Sequence, residues 1–264
     1  MPFLETTDAL GRPVVLDRPP RRIVSLVPSQ TELLADLGLD EEVVGLTRFC
    51  VHPGGWKARK PIVGGTKNLR LDRLAALRPD LVLANREENE RAQVEAVAAS
   101  GAPVYVTDVA TVDDALAMIR SVGRLVDRAA RAEALAGEIE AGFDALGAAE
   151  PVRAAYFIWR RPWMTTGGDT FIHDVMRRAG LANVFGERTR YPGVTPEEVA
   201  AARPDVLLLS SEPYPFKEAH AAELEAATGV PAVLVDGEPF SWYGSRMRLA
   251  PPYLQALRDR LVVA

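Results

Sequence analysis

The loop at residues 47–56 carries the side chains with the clearest coordination chemistry in this sequence. Among prolines and glycines it places Phe49, Cys50, His52 and Trp56, none of which a core requires there. In extended backbone, Cys50 and His52 point to the same side of the chain. A thiolate and an imidazole can hold zinc or iron, but a structural zinc site needs four ligands and Cys50 is the only cysteine.

Two roles stay open for this loop: coordination of a metal, with His52 as the ligand, or lining of a ligand cleft. For Cys50 we favour packing, because a lone buried cysteine usually behaves as a small apolar residue. His52 is the better candidate for a contact, since its neutral imidazole can meet a metal centre or a polar ligand edge near neutral pH. No obligatory cofactor is expected.

Aromatic side chains are concentrated in the predicted loops and at strand ends of the second half of the chain. They are Trp159, Trp163, Tyr191, Tyr214, Phe216, Trp242 and Tyr243. Such a concentration predicts an aromatic-lined ligand cleft between two lobes.

Polar candidates lie at a predicted helix start. Pro28, Ser29 and Gln30 follow the first core strand, and Ser29 and Glu32 have the spacing of a capping box. The free backbone N–H groups of such a start suit an anionic ligand group, although a well-capped helix alone explains the pattern equally well. Asn85 ends a buried strand and opens an acidic loop, at the position where open parallel sheets bind ligands.

Helical periodicity over residues 127–146 predicts one amphipathic helix of about 20 residues, with Asp127 as its N-cap. Similar segments lie on either side of it. Residues 74–84 and 199–210 each read as a short helix, Arg-Pro-Asp, then a buried strand, and residues 33–39 and 175–181 each end a helix on glycine.

These echoes predict an α/β fold in which two lobes with mainly parallel sheets are joined by a single long helix. The expected divisions are an N-terminal lobe at 1–126, a connecting helix at 127–147 and a C-terminal lobe at 148–264. The helix should limit movement between the lobes.

Composition excludes several classes of partner. A net charge of −5 gives no basic footprint for nucleic acid, and no apolar run reaches the length of a membrane span, so the chain is not expected to be membrane-embedded. The first 20 residues lack the charged and apolar regions of a signal peptide. We therefore expect a cytoplasmic monomer, or a periplasmic or extracellular protein if a leader has been removed.

Residues 22–32, 39–46, 63–65 and 74–83, together with the central helix, resemble the helical-backbone substrate-binding proteins of ABC importers for cobalamin, ferric siderophores and haem. The resemblance is strongest to the cobalamin binders. It implies a metal chelate, such as a cobalamin or other corrinoid, bound in a cleft between two lobes. By position, Phe49, Tyr191 and Trp242 match aromatic contacts to the ligand, whereas Asn85 replaces an aromatic residue.

The resemblance also implies docking to an ABC permease through one surface glutamate per lobe. Glu88 or Glu90 supplies the first, but tyrosine stands near the expected position of the second. An alternative is an enzyme or chaperone acting on a metal tetrapyrrole or chelate in the cytoplasm, with Cys50 and His52 as reactive groups. Against an enzyme, the sequence has no nucleophile-elbow, phosphate-loop or dinucleotide-binding motif.

Overall fold

The computed structural model describes residues 1–148 and 150–263. The chain forms two compact units, each with its own sheet. Unit 1 contains Met1–Val109, Asp114–Glu138 and Tyr243–Arg246, and unit 2 contains Ala110–Asp113, Ile139–Trp242 and Met247–Ala264. The expected α/β class with mainly parallel sheets is confirmed.

Unit 1 is built around a parallel sheet. Its strands are β1 Leu4–Thr7, β2 Pro13–Leu16, β3 Ile23–Ser25, β4 Val43–Leu46, β5 Gly64–Gly65, β6 Asn68–Leu69, β7 Leu81–Asn85 and β8 Val104–Thr107. The parallel sheet has the order β4-β3-β7-β8, while β1 pairs with β2 and β5 with β6 in antiparallel hairpins. Its helices include α1 Pro28–Asp36, α2 Trp56–Arg59, α3 Leu71–Ala76 and α4 Arg91–Ala99. Strand β7 is buried along its whole length, as expected for a parallel strand covered on both faces.

Two consecutive helices follow, α5 Val112–Leu125 and α6 Ala129–Asp144. The apolar face predicted for the central helix is buried, with Ile139 fully inaccessible and Phe143 nearly so. The division between the units falls within α6, after Glu138.

The predicted N-cap of α6 at Asp127 is wrong. Asp127 has a left-handed backbone, φ 57°, and the next amide, of Arg128, donates to the carbonyl of Gly123 at 2.7 Å. This is how a helix C-terminus is closed, so Asp127 ends α5. Alanine in place of Gly123 would put its Cβ 2.2 Å from that of Ala132, so this glycine permits the close approach of the two helices.

Unit 2 contains a mixed sheet. Its strands are β9 Val152–Trp159, β10 Trp163–Thr165, β11 Leu181–Asn183, β12 Gly193–Val194, β13 Val206–Ser210 and β14 Ala232–Val235. The order is β12-β10-β9-β13-β14, with β11 also beside β9; β10 and β12 are antiparallel to their neighbours and the other pairings are parallel. The remaining helices are α7 Phe171–Arg178, α8 Pro196–Ala202, α9 Glu218–Thr228, α10 Glu238–Ser241, a 3-10 turn Ser245–Leu249 and α11 Ala250–Val263. None of the helices in the described part of the chain is both long and apolar enough to cross a bilayer.

The first Arg-Pro-Asp corner joins two neighbouring strands of unit 1. Arg78 turns the chain with φ 45°, and the carboxylate of Asp80 accepts from the backbone N–H groups of Arg21 and Arg22 at 2.7–3.1 Å. The Asp80 amide in turn donates to the Arg22 carbonyl at 3.0 Å. These bonds tie the start of β7 to the start of β3.

The second corner repeats this arrangement in unit 2. Arg203 has φ 49°, Asp205 accepts from the Arg153 amide at 2.9 Å, and the Asp205 amide donates to the Arg153 carbonyl at 2.8 Å. Here the start of β13 is tied to the start of β9. The two Arg-Pro-Asp segments therefore share their hydrogen-bond geometry as well as their sequence.

These corners predict a graded loss of stability. Asp80→Ala leaves two backbone donors without their acceptor and should cost about 1–2 kcal/mol, whereas Asp205→Ala affects one donor and should cost about 0.5–1 kcal/mol. Urea denaturation of both variants measures this, with Asp72→Ala in the first turn of α3 as the control. An Asp80→Ala protein as stable as the control would contradict the assignment.

Candidate functional site

Strand ends bring the predicted polar residues of unit 1 to one edge. Because β4, β3, β7 and β8 are parallel, their carboxyl ends share a single side of the sheet, and β3, β7 and β8 end at Ser25, Asn85 and Thr107. We call the residues at these ends and in the loops that follow them the unit 1 edge. In open parallel sheets this is where ligands bind.

The start of α1 differs from the capping box predicted from Ser29 and Glu32, which is wrong. The helix begins at Pro28, with Val27 as a cap residue that offers no side-chain hydrogen bond. Glu32 instead accepts two hydrogen bonds from the guanidinium of Arg246, each at 2.8 Å. The helix starts at Pro28, two residues before the start expected with Ser29 as the N-cap, because proline is favoured at the first helical position.

Gln30 and Asn85 belong to one buried network. Gln30 Nε2 and Asn85 Nδ2 both donate to Thr107 Oγ1, at 2.5 and 3.2 Å. Asn85 Oδ1 accepts from the amides of Glu87 and Glu88 at 2.8 and 3.1 Å. Asn85 is only 3% exposed, so it shapes the loop after β7, a role that an aromatic residue could not perform.

Cys50 is packed inside the unit 1 edge. It is fully inaccessible, and its Sγ lies 3.0 Å from Thr31 Oγ1 and 3.2 Å from Thr47 Oγ1. Burial raises the pKa of the thiol, although the two threonine hydroxyls act in the opposite direction. A protonated, buried thiol is a poor metal ligand, so this environment favours packing over coordination.

The rest of this loop divides into exposed and buried side chains. Phe49 is 48% exposed, with the guanidinium of Arg48 4.9 Å from its ring centre. Trp56 is buried beneath Lys60, whose ammonium lies 4.6 Å from the ring centre. His52 is half-buried. Phe49 is therefore the aromatic of this loop whose ring is available to a ligand.

Glu88 is held by a tyrosine rather than presented alone. The hydroxyl of Tyr243, itself 7% exposed, donates to Glu88 Oε1 at 2.5 Å. Burial, followed by the negative charge of Glu88, raises the pKa of Tyr243, while the Ser29 hydroxyl opposes this shift. Of the two glutamates predicted to dock a permease, Glu90 at the N-cap of α4 is the exposed one.

Unit 2 presents an aromatic cluster at the end of β9. Trp159 contacts Tyr214 edge-on at 5.5 Å between ring centres, and Trp163 stacks on Phe216 at 5.9 Å with nearly parallel planes. Tyr214 and Phe216 are 4.8 Å apart, which joins the two pairs. Trp159 is 42% exposed and Trp163 is half-buried, so Trp159 is the more exposed of the two tryptophans in this cluster. The guanidinium of Arg190 lies 5.5 Å from the ring centre of Tyr191.

Glu212, which the sequence analysis missed, lies immediately after β13. Its carboxylate accepts from the Ser241 hydroxyl at 2.6 Å and from the indole N–H of Trp242. The strand-end argument applied to Asn85 also identifies this residue, because Glu212 stands two residues past a fully buried strand.

A metal site made by the protein itself is not found within residues 1–148 and 150–263, where no three His, Cys, Asp or Glu side chains cluster suitably. Coordination of a metal by His52 stays a prediction.

The family model of the periplasmic binding proteins matches residues 23–235, most of the chain. The chain belongs to this family. A vitamin B12-binding protein of Pectobacterium atrosepticum is 27% identical over 241 residues, which cover 88% of this chain and 86% of that protein. Relatives of this kind are binding proteins rather than enzymes.

Solved structures agree on the two-lobed fold. The periplasmic vitamin B12-binding protein of Vibrio cholerae superimposes with a TM-score of 0.79 at 19% identity, covering 92% of this chain and 98% of that one. A periplasmic haem-binding protein in complex with two haems gives a TM-score of 0.73 at 26% identity, covering 91% and 97%.

The family corrects one expectation. The cytoplasmic location inferred from the first 20 residues is wrong, because the matching family is that of periplasmic binding proteins. The residues at which a sequence begins were not a sound basis for assigning a compartment.

The burial of Cys50 predicts slow thiol chemistry. Because the raised pKa and the lack of solvent access act together, Ellman's reagent at pH 8 should modify the folded protein at least about 100-fold more slowly than the chain in guanidinium chloride. Equal rates in the two conditions would show that the thiol is accessible.

The Tyr243–Glu88 hydrogen bond predicts a measurable loss on removal of one hydroxyl. Tyr243→Phe leaves a half-buried carboxylate without this donor and should cost about 1–2 kcal/mol of unfolding free energy. Tyr105→Phe, at a tyrosine of equal exposure in β8, is the matched control in the same urea titration. A loss no larger than that of the control would contradict the assignment.

Proposed function

We propose that this protein binds a metal chelate, a cobalamin or related corrinoid before others, as the substrate-binding component of an ABC importer. The observation that carries the proposal is the 27% identity to a vitamin B12-binding protein along 88% of the chain. Family membership gives a binding role, and the ligand of the relative supplies the substrate class.

The positions of the aromatic side chains support this ligand class. Phe49 in unit 1 and Trp159 in unit 2 keep 48% and 42% of their surface exposed, next to the carboxyl ends of β4 and β9. Trp242 is half-buried, and its indole N–H donates to Glu212. Flat, apolar faces of this kind suit a macrocycle with an extended planar surface.

Haem is the second candidate, supported by the 26% identity to a protein solved with two haems. A half-buried imidazole and an exposed aromatic ring in one loop, as with His52 and Phe49, are compatible with either ligand. Ferric siderophores remain within the same class of chelate. Docking to a permease is proposed through Glu90, because the carboxylate of Glu88 is engaged by Tyr243.

The deciding experiment is a set of equilibrium titrations with cyanocobalamin, haem and a ferric hydroxamate, followed by absorbance and tryptophan fluorescence. We expect cyanocobalamin to bind most tightly. Mass spectrometry of any coloured compound that co-purifies gives an independent identification. Failure of all three ligands to bind with a Kd below about 100 µM would refute the proposal.

The aromatic contacts are tested by substitution in each unit. Trp242→Ala should weaken cyanocobalamin binding by about 2–3 kcal/mol, roughly 30- to 150-fold, because it removes a central aromatic contact. Phe49→Ala should weaken it as well, whereas Val51→Ala, at an equally exposed position of the same loop, should not. Unchanged affinity in a folded Trp242→Ala protein would place the ligand elsewhere.

The same ligand titrations distinguish the role of Cys50 from that of His52. His52→Ala should weaken at least one of the three ligands, and Cys50→Ser should do little, because the thiol is buried and protonated. If Cys50→Ser alone abolishes binding, the packing role is wrong.

A further inference from the structure

Glu212 is an acidic side chain in a place where an acid is unfavourable. It follows the fully buried strand β13, and burial, before any other cause, raises the pKa of its carboxyl group. The charges of Glu238 and Asp236 raise the pKa further, and the charge of Glu212 in turn raises the pKa of the buried Tyr156 hydroxyl. A half-buried carboxylate among other acids is costly unless specific donors hold it.

Two donors from one short segment hold it. The Ser241 hydroxyl approaches Glu212 Oε1 to 2.6 Å, and the indole N–H of the next residue, Trp242, also donates to the carboxylate. Both donors lower the pKa, which means that they bind the ionised form more strongly. Trp242 directly follows α10 and has an extended backbone, so it is not part of the helix. The hydrogen bond to Glu212 therefore restrains the indole ring in addition to the backbone.

The backbone of Glu212 is held by the side chain of Ser210, the last residue of β13. Ser210 Oγ accepts from the Glu212 amide at 3.2 Å, donates to the Glu212 carbonyl at 2.6 Å, and accepts from the buried hydroxyl of Tyr156 at 3.0 Å. A Cβ on Gly237 would stand 2.3 Å from Ser210 Oγ and 2.6 Å from Glu212 Cγ. The position of the carboxylate is therefore set by the strand and by the close approach of α10.

We propose that Glu212 is a positioning residue, whose carboxylate holds the indole of Trp242 in the orientation used for ligand binding. This inference rests on the proposed role of Trp242 as a ligand contact. It adds a residue whose effect on affinity passes through another side chain and not through a contact of its own.

A double-mutant cycle tests this dependence. Wild type, Glu212→Ala, Trp242→Phe and the double variant are titrated with cyanocobalamin at pH 7.5. Glu212→Ala should weaken binding about 10-fold when Trp242 is present and less than about 2-fold when phenylalanine replaces it. An equal loss in both backgrounds would overturn the proposal, because Glu212 would then act on the ligand or the fold directly.

Glu212→Gln keeps an acceptor for the indole. It also tests the proposal if the alanine variant does not fold. Its affinity should stay within about 3-fold of wild type. Glu218→Gln, the same change of charge on the exposed start of α9, is the matched control. A glutamine variant as weak as the alanine variant, with the control unaffected, would contradict a role based on the acceptor.

The emission of Trp242 tests the proposal without any ligand. Subtracting the spectrum of Trp242→Phe from that of wild type isolates this tryptophan from the other three. Glu212→Ala should shift the isolated emission and raise its quenching by acrylamide. At pH 7.5, Glu212→Gln, which retains a carbonyl acceptor for the indole, should show neither change.

The two proposals fail differently. If wild type binds no cyanocobalamin but Glu212 governs Trp242 emission, the ligand assignment is wrong and the positioning role stands. If cyanocobalamin binds and the isolated emission and its quenching are identical in wild type and Glu212→Ala, the positioning role is wrong.

Discussion

The constraint on which both units depend is the aspartate that closes each Arg-Pro-Asp corner. The carboxylates of Asp80 and Asp205 accept hydrogen bonds from backbone amides at the starts of β3 and β9, respectively. These bonds align β3 with β7 and β9 with β13. Strands that start level in a parallel sheet present their ends on a common side. The corners thus determine which loops of each unit can act together, although they lie at the opposite ends of the strands.

The two edges built in this way have different chemistry. In unit 1 the side chains of Gln30 and Asn85 both donate to Thr107, Asn85 also accepts from the loop backbone, and Phe49 is exposed in a neighbouring loop. In unit 2 the strand ends carry aromatic rings and acidic side chains, among them Glu212 and Asp236. Neither arrangement resembles a nucleophile with an adjacent base, and both suit recognition of a preformed ligand.

Burial acts on the ionisable groups of these edges in one direction. It raises the pKa of the Cys50 thiol and of the Tyr243 hydroxyl, which keeps both neutral near pH 7, and it raises that of Glu212. The stability effect of Glu212 follows from the sign of its shift. Because the folded state binds the proton more tightly than the unfolded chain, this contribution is present below pH 4.5 and is lost as pH rises through the raised pKa.

Local sequence determined a large part of this fold. The Arg-Pro-Asp repeats and the glycines that end α1 and α7 were predictable, because each depends on residues close together in the chain. The buried face of the central helix follows from its periodicity for the same reason.

Tertiary structure decided the partners. Glu32 has the spacing of a capping box but binds Arg246, 214 residues away, and Asp127 ends α5 although its residue type suggested that it would begin α6. The bond between Tyr243 and Glu88 spans 155 residues, and no local pattern announces it. Sequence reasoning identified which residue types stood at strand ends, but charge, burial and hydrogen-bond partners there depend on chain segments brought together only by the fold.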